Sequence, residues 1–150
     1  MIKINLAATL GALNDVSKLM LEESAAYAIS CGESEVLPAH LLLKSLENPF
    51  SDVRFILNKL NISHEELTAL LLSKTQTSHT KIDSVPSFSP LLIEMLQEAW
   101  SLGSLEFEQT QIRSASIFLA LVLNASRYLP TAVASYLNQI NKETLRQSLL

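Results

Sequence analysis

Glu35-Val-Leu-Pro-Ala-His-Leu-Leu-Leu-Lys-Ser-Leu-Glu47 and Ile112-Arg-Ser-Ala-Ser-Ile-Phe-Leu-Ala-Leu-Val-Leu123 decide the fold, because the second repeats the first. Val36, Ala39, Leu43, Leu46 and Asn48 reappear as Ile112, Ala115, Leu119, Val122 and Asn124 at one constant offset. The correspondence extends outward in both directions. Leu21-Glu-Glu-Ser-Ala25 answers Leu96-Gln-Glu-Ala-Trp100, Leu60-Asn61 answers Leu137-Asn138, and Ile62 with Leu67 answers Ile140 with Leu145. The offset drifts by only a few residues, as small loop changes would make it. Two copies of a four-helix unit are therefore expected. One copy alone is near the lower size limit for a stable core, so the two should pack face to face and share one.

The helices follow from their punctuation. Asn5 caps a short first helix, Leu6 to about Leu13, and Asn14 or Asp15 caps a long one running to Cys31, with Gly32 at the position after the cap. Pro38 suits the first turn of a helix ending at Glu47, stopped by Asn48-Pro49. Ser51 or Asp52 starts Val53–Leu60. Ser63 with Glu66 reads as a capping box for a helix ending near Ser73. Lys74 to Ser87, rich in Ser, Thr and Gln, reads as a surface linker. Ser89-Pro90 restarts helix to about Leu102, Ser114 caps Ala115–Asn124, Pro130 opens a helix to Leu137, and Asn141 caps one through Leu150. The expectation is an all-α, pseudo-two-fold duplicated fold in one domain, 1–150. It has an extra helix at 5–13, repeat 1 at 14–73, a linker at 74–87 and repeat 2 at 88–150.

Composition excludes several classes. The chain has 150 residues, 48% hydrophobic and 17% charged, which rules out disorder. Three glycines and five prolines favour helices over a turn-rich β-sandwich. A net charge of −4 with no Lys/Arg cluster argues against a nucleic-acid partner or an anionic membrane surface. No apolar run approaches the ~20 residues that span a bilayer, and no signal-peptide pattern is present. Cys31 is the only cysteine, so no internal disulfide framework or cysteine zinc cluster is expected, which suits a reducing cytoplasm.

Chemistry finds little support. No glycine opens a phosphate-cradling motif, so no nucleotide cofactor is expected. His40, His64 and His79 are isolated, and no metal site is expected. His40 reads as a core-edge histidine with one satisfied ring nitrogen. Cys31 at a helix end reads as a small apolar filler. A small helical enzyme using Cys31 or a histidine is the reading from another class. Glu22-Glu23 and Glu65-Glu66 are adjacent pairs, about 100° apart on a helix, and read as solvated faces.

The duplicated pattern resembles the Clp N-terminal domain of the Hsp100 AAA+ unfoldases. The carrying residues are Leu21-Glu-Glu-Ser-Ala25, Glu35–Glu47 and Ile112–Leu123. Ala39 stands where the family commonly has Glu. The extra segment from Ile4 to Leu13, with Ser89-Pro-Leu-Leu92, Glu98-Ala-Trp100, Ser104-Leu-Glu106 and Ile112-Arg-Ser114, is most similar to the ClpV branch of type VI secretion. The resemblance implies a non-enzymatic, cytoplasmic recruitment domain, without cofactor or metal, attached to its own AAA+ domains in a longer parent. The terminal Leu149-Leu150 ends inside a predicted helix, which agrees with a parent of that kind. The implied partner is a helix near the N-terminus of a secretion sheath subunit, so that the contracted sheath can be disassembled. The alternative within the family is a protease-coupled unfoldase of the ClpA, ClpB or ClpC type, binding adaptors or unfolded clients.

The first long helix is apolar around most of its circumference. With Leu21, Ala25, Ala28 and Ile29 taken as its core face, Leu19 and Ala26 fall nearly opposite, flanked by Glu22, Glu23 and Ser30. Two readings stand. Leu6, Leu10 and Leu13 of the extra helix finish the core and Leu19 is one exposed leucine. Otherwise, they leave a groove in which Ala26 and Ser30 allow close approach, Leu19 offers apolar area and Glu22 and Glu23 meet basic residues. Phe88 either staples the helix that follows it or walls that groove. The resemblance implies the groove.

Overall fold

The computed structural model describes residues 6–75 and 86–149. They form helices α1 (Leu6–Gly11), α2 (Asp15–Ser30), α3 (Pro38–Glu47), α4 (Asp52–Lys59), α5 (His64–Thr75), α6 (Pro90–Glu106), α7 (Ser114–Leu123), α8 (Ala125–Tyr128), α9 (Thr131–Leu137) and α10 (Lys142–Ser148). Two two-residue strands, β1 (Glu35–Val36) and β2 (Ser87–Phe88), complete the described elements.

The two stretches that set the expectation lie at the centre. Every residue of α7 from Ser114 to Val122 is buried, as is every residue of α3 from Pro38 to Leu46 except Lys44. A helix apolar all round has to sit in the middle of the fold, because no face of it suits water. Long α2 and α6 pack against α3 and α7 respectively. Phe118, with none of its surface exposed, is the largest fully buried side chain; its truncation to Ala would cost about 3–5 kcal/mol.

The two halves are stitched reciprocally. β1, which leads into α3, pairs in parallel with β2, which leads into α6: the Ser89 N–H donates to the Val36 carbonyl at 3.0 Å. Leu13, which leads into α2, forms a parallel bridge with Ile112, which leads into α7. There the Ile112 N–H donates to the Ala12 carbonyl at 2.7 Å and the Asn14 N–H to the Ile112 carbonyl at 3.0 Å. Each half thus pairs the segment before its first long helix with the segment before the other's buried helix. Two copies related by a pseudo-two-fold axis have this geometry.

Local chemistry explains the boundaries and corrects some of them. Asn14 caps α2, its Oδ1 accepting from the Ser17 N–H at 3.0 Å. Gly32, at φ 73°, ends α2; its N–H and that of Glu33 reach back to the carbonyls of Ile29 and Ala28. This double return bond needs a left-handed residue after the cap, which glycine adopts without steric cost. Ser51 caps α4 and Ser89 caps α6. Ser114 does not cap α7: it is the helix's first residue, and Arg113 precedes it as cap. Its Oγ accepts from the Asp52 N–H at 2.9 Å, while the Asp52 carboxylate accepts from the Ala115 N–H and takes Arg113 in a two-pronged ion pair. The N-termini of α4 and α7 therefore cap each other across the core. The Ser63 hydroxyl accepts from the Glu66 N–H, but the Glu66 carboxylate turns to the Tyr136 hydroxyl.

Helix α1 stops at Gly11, two residues short of the expectation, because the chain must extend at Leu13 to pair with Ile112. Helix α6 runs four residues past Leu102, and α8 was not anticipated. Lys74 and Thr75, placed in the linker by the sequence, still belong to α5, and Ser87 belongs to β2; 76–85 lie outside the described residues, as do His79, Asn5 and Leu150.

Candidate functional site

Helix α1 packs across α6, and the bridge at Leu13 holds its exit against the body. Its far edge stands off α2, leaving a groove of about 430 Å³. Leu10, Gly11 and Leu13 form one wall. Lys18, Leu21, Glu22 and Ala25, one stripe of α2 at helical spacing, form the other, and Phe88 closes the end. The aliphatic and aromatic side chains make an apolar trough, with Lys18 and Glu22 charged at its rim. The strand pairing of β2 with β1 carries Phe88 here from a residue distant in sequence.

Gly11 lines the groove without a side chain. A Cβ placed on it would meet no atom within 4 Å. A larger residue there would find open space for its Cβ at the groove's wall.

The anticipated residues divide. Leu10, Leu13, Glu22 and Phe88 line the groove together. Leu13 is buried in the wall, and Phe88 is half-buried, packed against the core while it lines the groove. Leu19, Glu23, Ala26 and Ser30 do not line it; they form the adjoining face of α2, which is open to solvent, Leu19 with 47% of its surface exposed. Leu6, exposed at the start of α1, is also outside the lining.

Gly11, Lys18, Leu21 and Ala25 were missed, the three on α2 for one reason. The expected core face of α2 was centred on Leu21 and Ala25. The buried stripe is Ser17, Met20, Leu21, Ser24 and Ala28, with Ala25 and Ile29 only half-buried. Ser24 sits fully inside because its hydroxyl donates to the Met20 carbonyl at 2.6 Å. That back-bond lets a serine behave as a small core residue. Counting Ser17 as inward, and centring the core face on the side of the apolar arc that holds Met20 and Ser24, is the signal that would have turned the helix correctly.

The groups weighed for chemistry lie elsewhere. His40 is buried, and its Nδ1 accepts from the Leu37 N–H at 2.9 Å, capping α3. Burial pushes its imidazole below the ordinary histidine value, only partly opposed by the Glu33 carboxylate. Tyr27 meets the His40 ring edge-on at 5.8 Å. Cys31 is a buried free thiol at the end of α2. Among the described residues no group of three or more His, Cys, Asp or Glu could hold a metal ion, and no helix is long and apolar enough to cross a membrane.

A doubled all-helical body with an open apolar groove at its amino-terminal edge defines a docking domain. Residues 12–133 match the family model described as the Clp repeat (R) N-terminal domain, and the chain belongs to that family. No curated protein sequence matches it. Among solved structures it is similar to the N-domain of ClpV from Vibrio cholerae, at 39% identity and TM-score 0.91, over 98% of this chain and 88% of that one. A structure described as a complex of the ClpV N-domain with a VipB peptide matches at 39% identity and TM-score 0.87, over 98% of this chain and 90% of that one. The N-terminal domain of Hsp104 from Candida albicans, at 13% identity and TM-score 0.70 over 91% of this chain and 88% of that one, shares the fold alone. The family model starts after α1, whereas coverage of 98% leaves no room for the ClpV structures to lack all of it.

Proposed function

We propose that this chain is the recruiting N-terminal domain of a ClpV-type AAA+ ATPase, and that the α1/α2 groove holds an N-terminal helix of a type VI secretion sheath subunit. The domain grips; ATP-driven motor domains of the parent, in the cytoplasm, pull the contracted sheath apart. The bound helix lays an apolar stripe over Leu10, Leu13, Leu21, Ala25 and Phe88 and meets Lys18 and Glu22 with charges of opposite sign. Glu23, Ala26 and Leu19 extend the contact where the helix overhangs the trough. In this reading the repeats are 14–73 and 88–150, with 74–87 joining them and the extra helix serving the groove. Neither metal nor cofactor takes part.

The observation that carries this reading is the pairing of that groove with 39% identity to a ClpV N-domain described in complex with a VipB peptide. The test is a fluorescence-anisotropy titration of a labelled sheath-subunit N-terminal helix, run beside an unfolded client protein. Saturable binding of the helix, abolished by Phe88→Arg in a folded protein, is expected. Binding of the client with no binding of the helix would transfer the domain to a protease-coupled unfoldase.

A further inference from the structure

We propose that the cleft on the opposite side of α1, facing α6, is a second docking site, which takes a peptide segment presenting an arginine or lysine beside an aliphatic side chain. This cleft, about 530 Å³, is larger than the α1/α2 groove and shares no lining residue with it. Ala8 and Ala12 form its α1 wall, Glu94, Glu98 and Trp100 its α6 wall, and Ile112 lies in its floor. The small alanines let a peptide backbone come close, and Trp100 supplies apolar surface for an aliphatic neighbour.

Charge fixes the occupant. The lining contains two carboxylates and no lysine, arginine or histidine. Arg127, just outside, answers Glu94 through paired contacts at 2.8 Å. Among the described residues no cation pairs with Glu98. It accepts from the Asn124 side-chain amide at 2.6 Å and from the Tyr128 hydroxyl, both neutral donors. Burial and the Glu98 carboxylate hold the Tyr128 phenol well above its ordinary range, so it donates without cancelling the charge. One negative charge is left beside a tryptophan with 40% of its surface exposed. A cation entering the cleft meets the Glu98 carboxylate in a lining that also holds the exposed Trp100 indole. An acidic or purely apolar segment would leave Glu98 unanswered. Because the two concavities are separate, this inference does not depend on the sheath reading and can fail or hold without it.

Trp100 is the chain's only tryptophan, so its emission reports occupancy of this cleft directly. The probes are acetyl-Leu-Ala-Arg-Leu-amide and the same peptide with citrulline, the neutral isostere, in place of arginine. The arginine peptide should shift Trp100 emission saturably and bind about five- to tenfold more tightly than the citrulline peptide, an advantage that added salt erodes. Glu98→Gln keeps an acceptor oxygen for the Asn124 amide, and its new amide N–H can donate to the Tyr128 hydroxyl, but it should erase the difference between the peptides. Ser101, exposed on the cleft edge, provides a second variant: Ser101→Arg supplies the cation from the chain itself and should abolish the response. Absence of a saturable response in the wild type overturns the proposal. So does equal affinity for the two peptides, or discrimination that survives in folded Glu98→Gln or Ser101→Arg.

Discussion

Replacing Gly11 by leucine should make the domain more stable and a poorer binder at once. Gly11 is the last residue of α1, and no atom lies within 4 Å of the position its Cβ would take. In the free protein the Cβ of the new side chain therefore enters open space. It removes glycine's conformational penalty in a helix, a gain of about 0.5 kcal/mol at a terminal position. In the complex the same side chain stands in a groove of about 430 Å³ that the partner helix has to fill. Overpacking of this kind costs about 1–3 kcal/mol, or roughly a 5- to 150-fold rise in Kd. Urea unfolding reads the first effect and an anisotropy titration with the labelled sheath helix reads the second. Gly11→Ala should keep the stability gain with little loss of affinity, which separates helix propensity from blockade. Wild-type affinity in a folded Gly11→Leu protein would refute the assignment of the groove.

Phe88→Ala should weaken sheath-helix binding about tenfold or more, and Leu19→Ala less than about threefold, since Phe88 walls the trough and Leu19 lies on the adjoining face; the reverse order in calorimetric titrations would move the helix onto that face. Asp52→Ala should cost about 1–2 kcal/mol of stability and Arg113→Ala less than about 1, because the half-exposed ion pair contributes little while the Asp52 carboxylate also caps the Ala115 N–H. Equal losses in denaturant unfolding would mean that the cap across the core contributes nothing. The depressed His40 imidazole gives a pH prediction with a definite sign. An unfolded chain takes up this proton near the ordinary histidine value of about 6.5, where the folded protein still refuses it, so stability is lost as pH falls below that value. Unfolding midpoints should therefore drop more steeply from about pH 7.5 to about 5.5 in the wild type than in His40→Gln; identical slopes would remove His40 as the cause.

The sequence legibly specified whatever is local or repeated. Asn14, Ser51, Ser63, Ser89 and Asn141 cap their helices because a short polar side chain satisfies N–H groups next to it in the chain. Pro38, Pro90 and Gly32 mark helix ends through their own backbone geometry. The recurrence of one apolar pattern indicated two units sharing a core, since each is near the lower size limit for holding one alone. It also carried the family resemblance.

What only the tertiary structure decided depends on contacts between residues far apart in the chain. Ser114 looks like a local cap, yet its hydroxyl serves Asp52 on another helix, and Asp52 returns the favour at Ala115. The pairing of Leu13 with Ile112 set where α1 ends and which side of it faces α6. The rotation of α2 about its axis, which put Ala25 at the groove, left Leu21 where groove and core meet and kept Leu19 and Ala26 on the neighbouring face, turned on the burial of Ser17 and Ser24. A sequence states which residues are apolar and how they are spaced. A groove is the space that packing leaves unfilled, so its walls are set only when helices distant in sequence have settled against each other.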